Sequence, residues 1–259
     1  MAYALQLPAD ASLMQAVDVV HVEKLVAARR RVKRALAQQL TAEFEAVYDL
    51  TSSAETEYKF TPAEVARRRL RNTCLDFLTS LGTESALQRA SAQYTTATCM
   101  TERIAALGCL SSHPGALRDA AVAHFHKFAE GDSLVLNKWF AVQAGADLPD
   151  LLTRVKELQQ HPDFLISNPN RARSLLSTFA ANLPHFHAAD GSGYVFTADN
   201  IIVIDSLNPQ VAARMALAFS QWTRFDDARQ ALMRAQLERI RATTGLSKDT
   251  LEVVSRCLK

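Results

Sequence analysis

The sequence predicts an all-α protein: antiparallel helix pairs stacked as a curved α-solenoid. Three observations predict it. Apolar residues recur at spacings of three and four along most of the chain. Only 8 Gly and 8 Pro occur in 259 residues, and they punctuate the periodic stretches. Patterns that read as strands are scarce. Helix pairs in series cannot bury their apolar faces alone, so stacked neighbours closing a continuous core are the expected solution even without a strict repeat. No Ser/Gly-rich hinge interrupts the chain, so residues 1–259 are expected to form a single helical-repeat domain of about a dozen helices joined by short connections.

Leu25, Val32, Leu36, Leu40, Phe44 and Val47 form the first long apolar stripe. Thr61-Pro62-Ala63-Glu64 then starts a helix: Thr61 can cap, Pro62 suits the first helical position, and Glu64 completes a capping box. Leu70, Cys74, Phe77, Leu78 and Leu81 follow on one face. Pro114 leads into Leu117, Ala121, Phe125 and Phe128. Asn168 before Pro169 reads as an N-cap of a helix ending before Pro184. Tyr194-Val195-Phe196 admits a short extended stretch, and Ile201-Ile202-Val203-Ile204 fits a strand or a buried helix segment. Asn208-Pro209 begins a helix with Val211, Met215, Phe219 and Trp222 on one side. Phe225, Leu232, Met233, Leu237 and Ile240 continue the pattern until Gly245 stops it. Ser247 caps a last helix carrying Leu251, Val254 and Leu258.

The balance of 29 Lys and Arg against 27 Asp and Glu gives a net charge of only +2. No strong field favours nucleic acid or an anionic membrane. The cysteines, Cys74, Cys99, Cys109 and Cys257, form no C-x-x-C pair and sit in helical surroundings, as expected in a reducing compartment. The first eight residues lack the basic and apolar regions of a secretory signal. No apolar run approaches the roughly 20 residues that span a bilayer. A soluble, cytoplasmic protein is expected.

The chain has no H-E-x-x-H, no P-loop, no G-x-G-x-x-G and no G-x-S-x-G, which removes the common routes to a self-contained catalytic site. Two H-x-H pairs occur, His124-Phe125-His126 and His185-Phe186-His187. Spacing of two shares a face on a strand, but on a helix the side chains point about 200° apart. The first pair lies in a helical pattern and the second after Pro184 in loop, so no metal site is expected. The basic runs Arg29–Arg34 and Arg67–Arg71 keep their apolar positions in helical register. They read as solvated helix faces neutralised by Glu23, Glu43, Glu45 and Glu64. Asp190-Gly191-Ser192-Gly193 could cradle an anion through backbone N–H groups, but it lacks a lysine. A tight turn bringing two helices together is the simpler reading.

Ser167–Phe196 is the least generic stretch. Arg171 and Arg173, near a helix N-terminus, are unfavourable for the macrodipole and fall on different faces. Each invites a partner, an acid of the same chain or a carboxylate from outside.

Ser167-Asn168-Pro169-Asn170-Arg171, Phe186-His187-Ala188 and Asp190-Gly191-Ser192-Gly193-Tyr194 closely resemble the C-terminal helical domain of bacterial-type aminopeptidase N, the alanyl aminopeptidases of the M1 zinc metallopeptidase family. The stretches Asp132–Phe140, Leu70–Leu75, Leu207–Ala212 and Leu5–Leu40 extend the likeness over nearly the whole chain. In that family the H-E-x-x-H site, a further glutamate ligand and the G-x-M-E-N motif lie in earlier domains, and none occurs here. The resemblance therefore implies a C-terminal accessory domain, inactive alone, with zinc in the parent enzyme and no cofactor or catalytic residue of its own. It would be a superhelical bowl that covers the catalytic chamber and limits peptide access. Its partners would be the catalytic domain, in the same or a separate polypeptide, and a peptide substrate, with neither nucleic acid nor membrane. It places Asn168, Asn170, Arg171, Arg173, His187, Asp190 and Tyr194 at the substrate channel or domain interface, with one guanidinium pairing with a peptide carboxylate. Two other readings stay open: a free-standing helical-repeat scaffold that binds a protein partner, and an enzyme using His187 and Asp190 as an acid/base pair.

Overall fold

Several helices begin where a side chain supplies an acceptor for their first N–H groups. In the computed structural model, which describes residues 2–52 and 58–259, Thr61 accepts from the Glu64 amide, Asn168 from those of Asn170 and Arg171, Asn208 from that of Val211 and Ser247 from that of Thr250. Thr83 and Asp226 act likewise, at helix starts the sequence analysis did not name. Each cap satisfies donors that have no partner within the helix.

The regular structure of the described residues is helical, with seventeen α-helical segments, α2 (Asp10–Gln15) and α9 (Ser133–Ala144) among them, and no strand; an isolated bridge joins Val20 to Phe225. The number exceeds a dozen because several segments are single turns. The chain packs as two compact units.

The first unit comprises residues up to Ala9, Ala27–Val142 and Ala146–Leu148. Its helices include most of α3 (Val22–Gln39), then α4 (Thr41–Leu50), α5 (Pro62–Thr79), α6 (Glu84–Thr96), α7 (Met100–Ser111) and α8 (Ala116–Phe128), after the short α1 (Ala2–Leu5). Neighbours in sequence pack together: α4 on α5, α6 on α7, α7 on α8. Phe44 stacks on Phe77 with ring centroids 4.7 Å apart, beside the buried Cys74, Leu75 and Leu78. The first apolar stripe is only partly core. It breaks at Leu40 between α3 and α4, and Val32 and Leu40 are exposed.

The second unit comprises Asp10–Val26, Gln143–Gly145 and Pro149–Lys259. It holds α10 (Leu151–Gln159) and a helix that runs from α11 (Pro169–Ala172) through a π turn, Arg173–Ser177, into α12 (Thr178–Ala180). The wider π turn accompanies burial of both adjacent leucines, Leu175 and Leu176. α13 (Leu183–Phe186), α14 (Ser192–Asp205), α15 (Pro209–Ala216), α16 (Asp227–Arg241) and α17 (Lys248–Cys257) follow. α14 packs on α15 and α16, and α15 on α17. Tyr194–Phe196 is helical rather than extended, and so is Ile201–Ile204, because both lie in α14. Burial of Ile201 and Ile204 against neighbouring helices overrides their β preference. The stripe from Val211 to Trp222 is not one helix: α15 ends at Ala216, and two 3₁₀ turns follow.

Candidate functional site

The segment from Asn168 to Tyr194 is held by polar groups of its own and of residues outside it. Asn168 Oδ1 caps α11, 3.0 Å from the Asn170 nitrogen and 3.2 Å from that of Arg171. The next two arginines part company, as their spacing required. Arg171 is buried, and its Nη1 donates to the Asp163 main-chain carbonyl at 2.5 Å. Burial lowers its pKa, with the Asp163 charge acting the other way. Arg173 is exposed and donates to the Asn170 side-chain oxygen and the Pro169 carbonyl.

The Asp190-Gly191-Ser192-Gly193 loop is a tight turn. Gly191 has φ +72°, the left-handed region that favours glycine. Asp190 accepts from the Ser192 nitrogen at 2.9 Å and its hydroxyl at 2.7 Å. Those bonds hold the exposed carboxyl below its ordinary range. Gly193 is where α14 meets α13: a Cβ there would lie 2.4 Å from the Phe186 carbonyl oxygen and 2.7 Å from that of His185. Only a residue without a side chain permits that approach.

His187 and Tyr194 form a buried pair, with Nδ1 2.8 Å from the phenol oxygen. The imidazole stacks on Phe225 at 4.1 Å. Burial, reinforced by the Arg229 charge, pushes its pKa down to about 3, so the ring is neutral near pH 7. Burial pushes the Tyr194 phenol up. Arg229, also buried, donates Nε to the His187 carbonyl at 2.9 Å, Nη1 to Asp226 at 2.8 Å and Nη2 to Glu23. Glu23 lies on α3 and Asp226 caps α16. One guanidinium thus ties three parts of the second unit that are far apart in sequence. The sequence analysis missed Arg229 and Asp226 and gave Glu23 to the basic runs instead. Their only signal was Asp226 at a helix start with Arg229 three residues on.

His187 and Asp190 are not an acid/base couple. His187 is buried on Tyr194 and Phe225, and the Asp190 carboxylate takes both donors of Ser192. His185 lies on the helical turn of α13 rather than in loop. The other H-x-H pair is on α8, where His124 Nδ1 meets the Tyr94 hydroxyl at 2.8 Å and His126 packs on Trp139 at 4.7 Å.

The basic runs are only partly neutralised, by Glu64 as expected and by partners the sequence did not suggest. Arg67 meets Glu64 and Glu102 at 2.9 and 3.2 Å. Arg68 is buried rather than solvated and meets Glu64 at 3.4 Å. Arg69 lies over the Tyr3 ring and Arg71 over Tyr48. On α3, Arg30 pairs with Asp147 and Lys33 with Asp76. Glu23 serves Arg229, and Glu45 serves Arg89.

Comparisons with known proteins agree with this architecture. Residues 1–259 match the family described as "Domain of unknown function (DUF3458_C) ARM repeats". The chain is 35% identical over 255 residues to aminopeptidase N of Escherichia coli (strain K12), covering 98% of this chain and 29% of that protein. It is 38% identical over 258 residues to aminopeptidase N of Caulobacter vibrioides, covering 99% and 30%. The crystal structure of Legionella pneumophila aminopeptidase A in complex with aspartic acid matches with a TM-score of 0.90 at 31% identity, over 99% of this chain and 31% of that one. The chain therefore spans less than a third of the length of these relatives. It belongs to the DUF3458_C ARM-repeat family and is homologous to the C-terminal region of bacterial aminopeptidase N.

Proposed function

We propose that this chain is the non-catalytic accessory domain of a zinc aminopeptidase of the M1 type. It walls the catalytic chamber, limits entry to peptides and leaves hydrolysis to the catalytic domain, in the same or a separate polypeptide. One observation carries the reading: the likeness runs over 98–99% of this chain yet takes in only 29–30% of aminopeptidase N, and the chain has no H-E-x-x-H and no G-x-M-E-N.

Neither H-x-H pair offers both of its imidazoles to the zinc implied by the family. His124 is committed to Tyr94, and His187 to Tyr194 in a buried setting. On α8 a spacing of two diverges, and in the second pair His187 lies just past the end of α13. No step of the chemistry is assigned to this chain.

Its own residues act by shape. Arg171, His187, Tyr194 and Arg229 fix α11, α13 and α16 as a rigid wall. Exposed Asn170, Arg173 and Asp190 are the members of the segment able to face a chamber or the catalytic domain, with Arg173 the guanidinium available to a peptide carboxylate. A cytoplasmic location fits free thiols such as Cys74, buried and pushed up to about 11. No helix among the described residues is long and apolar enough to cross a membrane.

The test is peptide-length selectivity in the whole enzyme that contains this chain. Arg173→Ala is expected to raise KM for short peptides while leaving kcat for an amide substrate without a C-terminal carboxylate unchanged. Equal effects on both substrates would reject that role for Arg173. Unchanged length preference after removal of residues 1–259 from a still-active enzyme would reject the wall.

A further inference from the structure

We propose that a groove between α3, α5 and α7 binds an extended acidic peptide segment. An apolar side chain would sit against Phe60 and Val65, and carboxylates against Arg30, Lys33 and Arg34. The assignment stands on the first unit alone and does not depend on the accessory-domain reading.

Two cavities of about 560 and 660 Å³ line up along α3 and share Arg29, Lys33, Asn72 and Asp76 as walls. Each falls in the size range of ligand sites, and together they suit an elongated ligand. Their walls carry six lysines and arginines, with Asp76 and Asp147 as the carboxylates. Asp76 and Asp147 are spent on Lys33 and Arg30 in half-exposed pairs of the kind that exchange readily. Arg34 is exposed, lines the second cavity and pairs with no carboxylate among the described residues.

The floor is equally telling. Gly108 lies inside α7, where glycine weakens a helix relative to alanine. A Cβ there would meet nothing within 4 Å. No packing constraint requires glycine, and its absent side chain keeps the second cavity open. The first cavity differs in character, with Leu7, Val65 and Phe77 along its wall and Phe60 81% exposed at its edge. An apolar end beside a cationic end suits a peptide better than a polyphosphate chain. Asp76 and Asp147 would repel phosphates but can accept hydrogen bonds from peptide N–H groups.

The test is fluorescence anisotropy on the full chain. The probe is a fluorescein-labelled, C-terminally amidated peptide of sequence FEDEDE, compared with its FKKKKK counterpart and with labelled oligothymidylate. Preferential binding of the acidic probe is expected. Arg34→Glu should weaken it by about fivefold or more, and Phe60→Ala and Gly108→Met should weaken it as well. Arg31→Glu makes the same charge change on the same helix at an exposed position off both cavities, and should leave affinity within about twofold. Circular dichroism confirms folding, and Arg34→Glu and Phe60→Ala decide the matter if Gly108→Met does not fold. Equal binding of FKKKKK, equal losses for Arg31→Glu and Arg34→Glu, or tighter binding of oligothymidylate would each overturn the proposal.

Discussion

Around His187, the imidazole, the Tyr194 phenol and the three donating nitrogens of Arg229 all meet groups inside the second unit. Along α3 in the first unit, comparable cations line open space, and Arg34 has no carboxylate to meet among the described residues. The same residue types thus serve opposite ends. In one region burial makes every polar atom a structural obligation, since an unmet one costs about 1–3 kcal/mol. In the other, solvent keeps the groups available. Polar side chains in a sequence indicate chemistry only after the fold has shown which of them are already spent.

The glycines give the sharpest contrast. Gly193→Ala would drive a Cβ to 2.4 Å from a backbone oxygen that cannot yield. It should cost about 3 kcal/mol or more in chemical denaturation. Gly108→Ala meets open space and should stabilise the chain by about 0.5–1 kcal/mol. Similar outcomes for the two would dissolve the distinction between a closed and an open region.

Arg229→Leu comes next. It strands Asp226 and the His187 carbonyl, and a loss of about 3 kcal/mol is expected. Glu23→Gln should cost under about 1 kcal/mol, because the Glu23 side chain is 66% exposed. If Glu23→Gln matched Arg229→Leu, the exposed end of the network would be its essential part.

His187 adds a pH signature. Its folded pKa is about 3, below the ordinary 6.5, so between those values the unfolded chain binds a proton that the folded chain refuses. Stability from this group is complete above pH 6.5 and falls as pH drops toward 3. At pH 5 the loss is about 2 kcal/mol. The groups facing the ring are Tyr194, Phe225, Arg229 and Asp226, and Arg229 reinforces the shift. His187→Gln should flatten unfolding midpoints between pH 5 and 7, whereas an unchanged pH profile would place the ring in solvent. The smallest effect is expected at Arg34→Glu, which should leave the unfolding midpoint where it is.

Much of the fold was legible because helix signals are local. Thr61-Pro62, Asn168-Pro169, Asn208-Pro209 and Ser247 each announced a helix start that the structure contains. Tyr194–Phe196, which admitted an extended stretch, and Ile201–Ile204, left open between strand and buried helix, both lie in α14, where surrounding helices decide the outcome. Within the candidate site, the turn at Asp190–Gly193 and the divergence of Arg171 from Arg173 followed from spacing. The Arg229 network did not, because Glu23 and Arg229 lie 206 positions apart. The groove was hidden for a related reason: a basic run reads alike whether its neighbours fill the space beside it or leave it empty.

The most direct test of the central claim, that this chain shapes an aminopeptidase without performing its reaction, is an assay of the purified 259-residue chain. Zinc would be supplied, and release of N-terminal residues from short peptides and bound metal measured together. The account predicts neither turnover nor stoichiometric zinc. Zinc-dependent turnover that survives repurification and is lost in His187→Gln would contradict it.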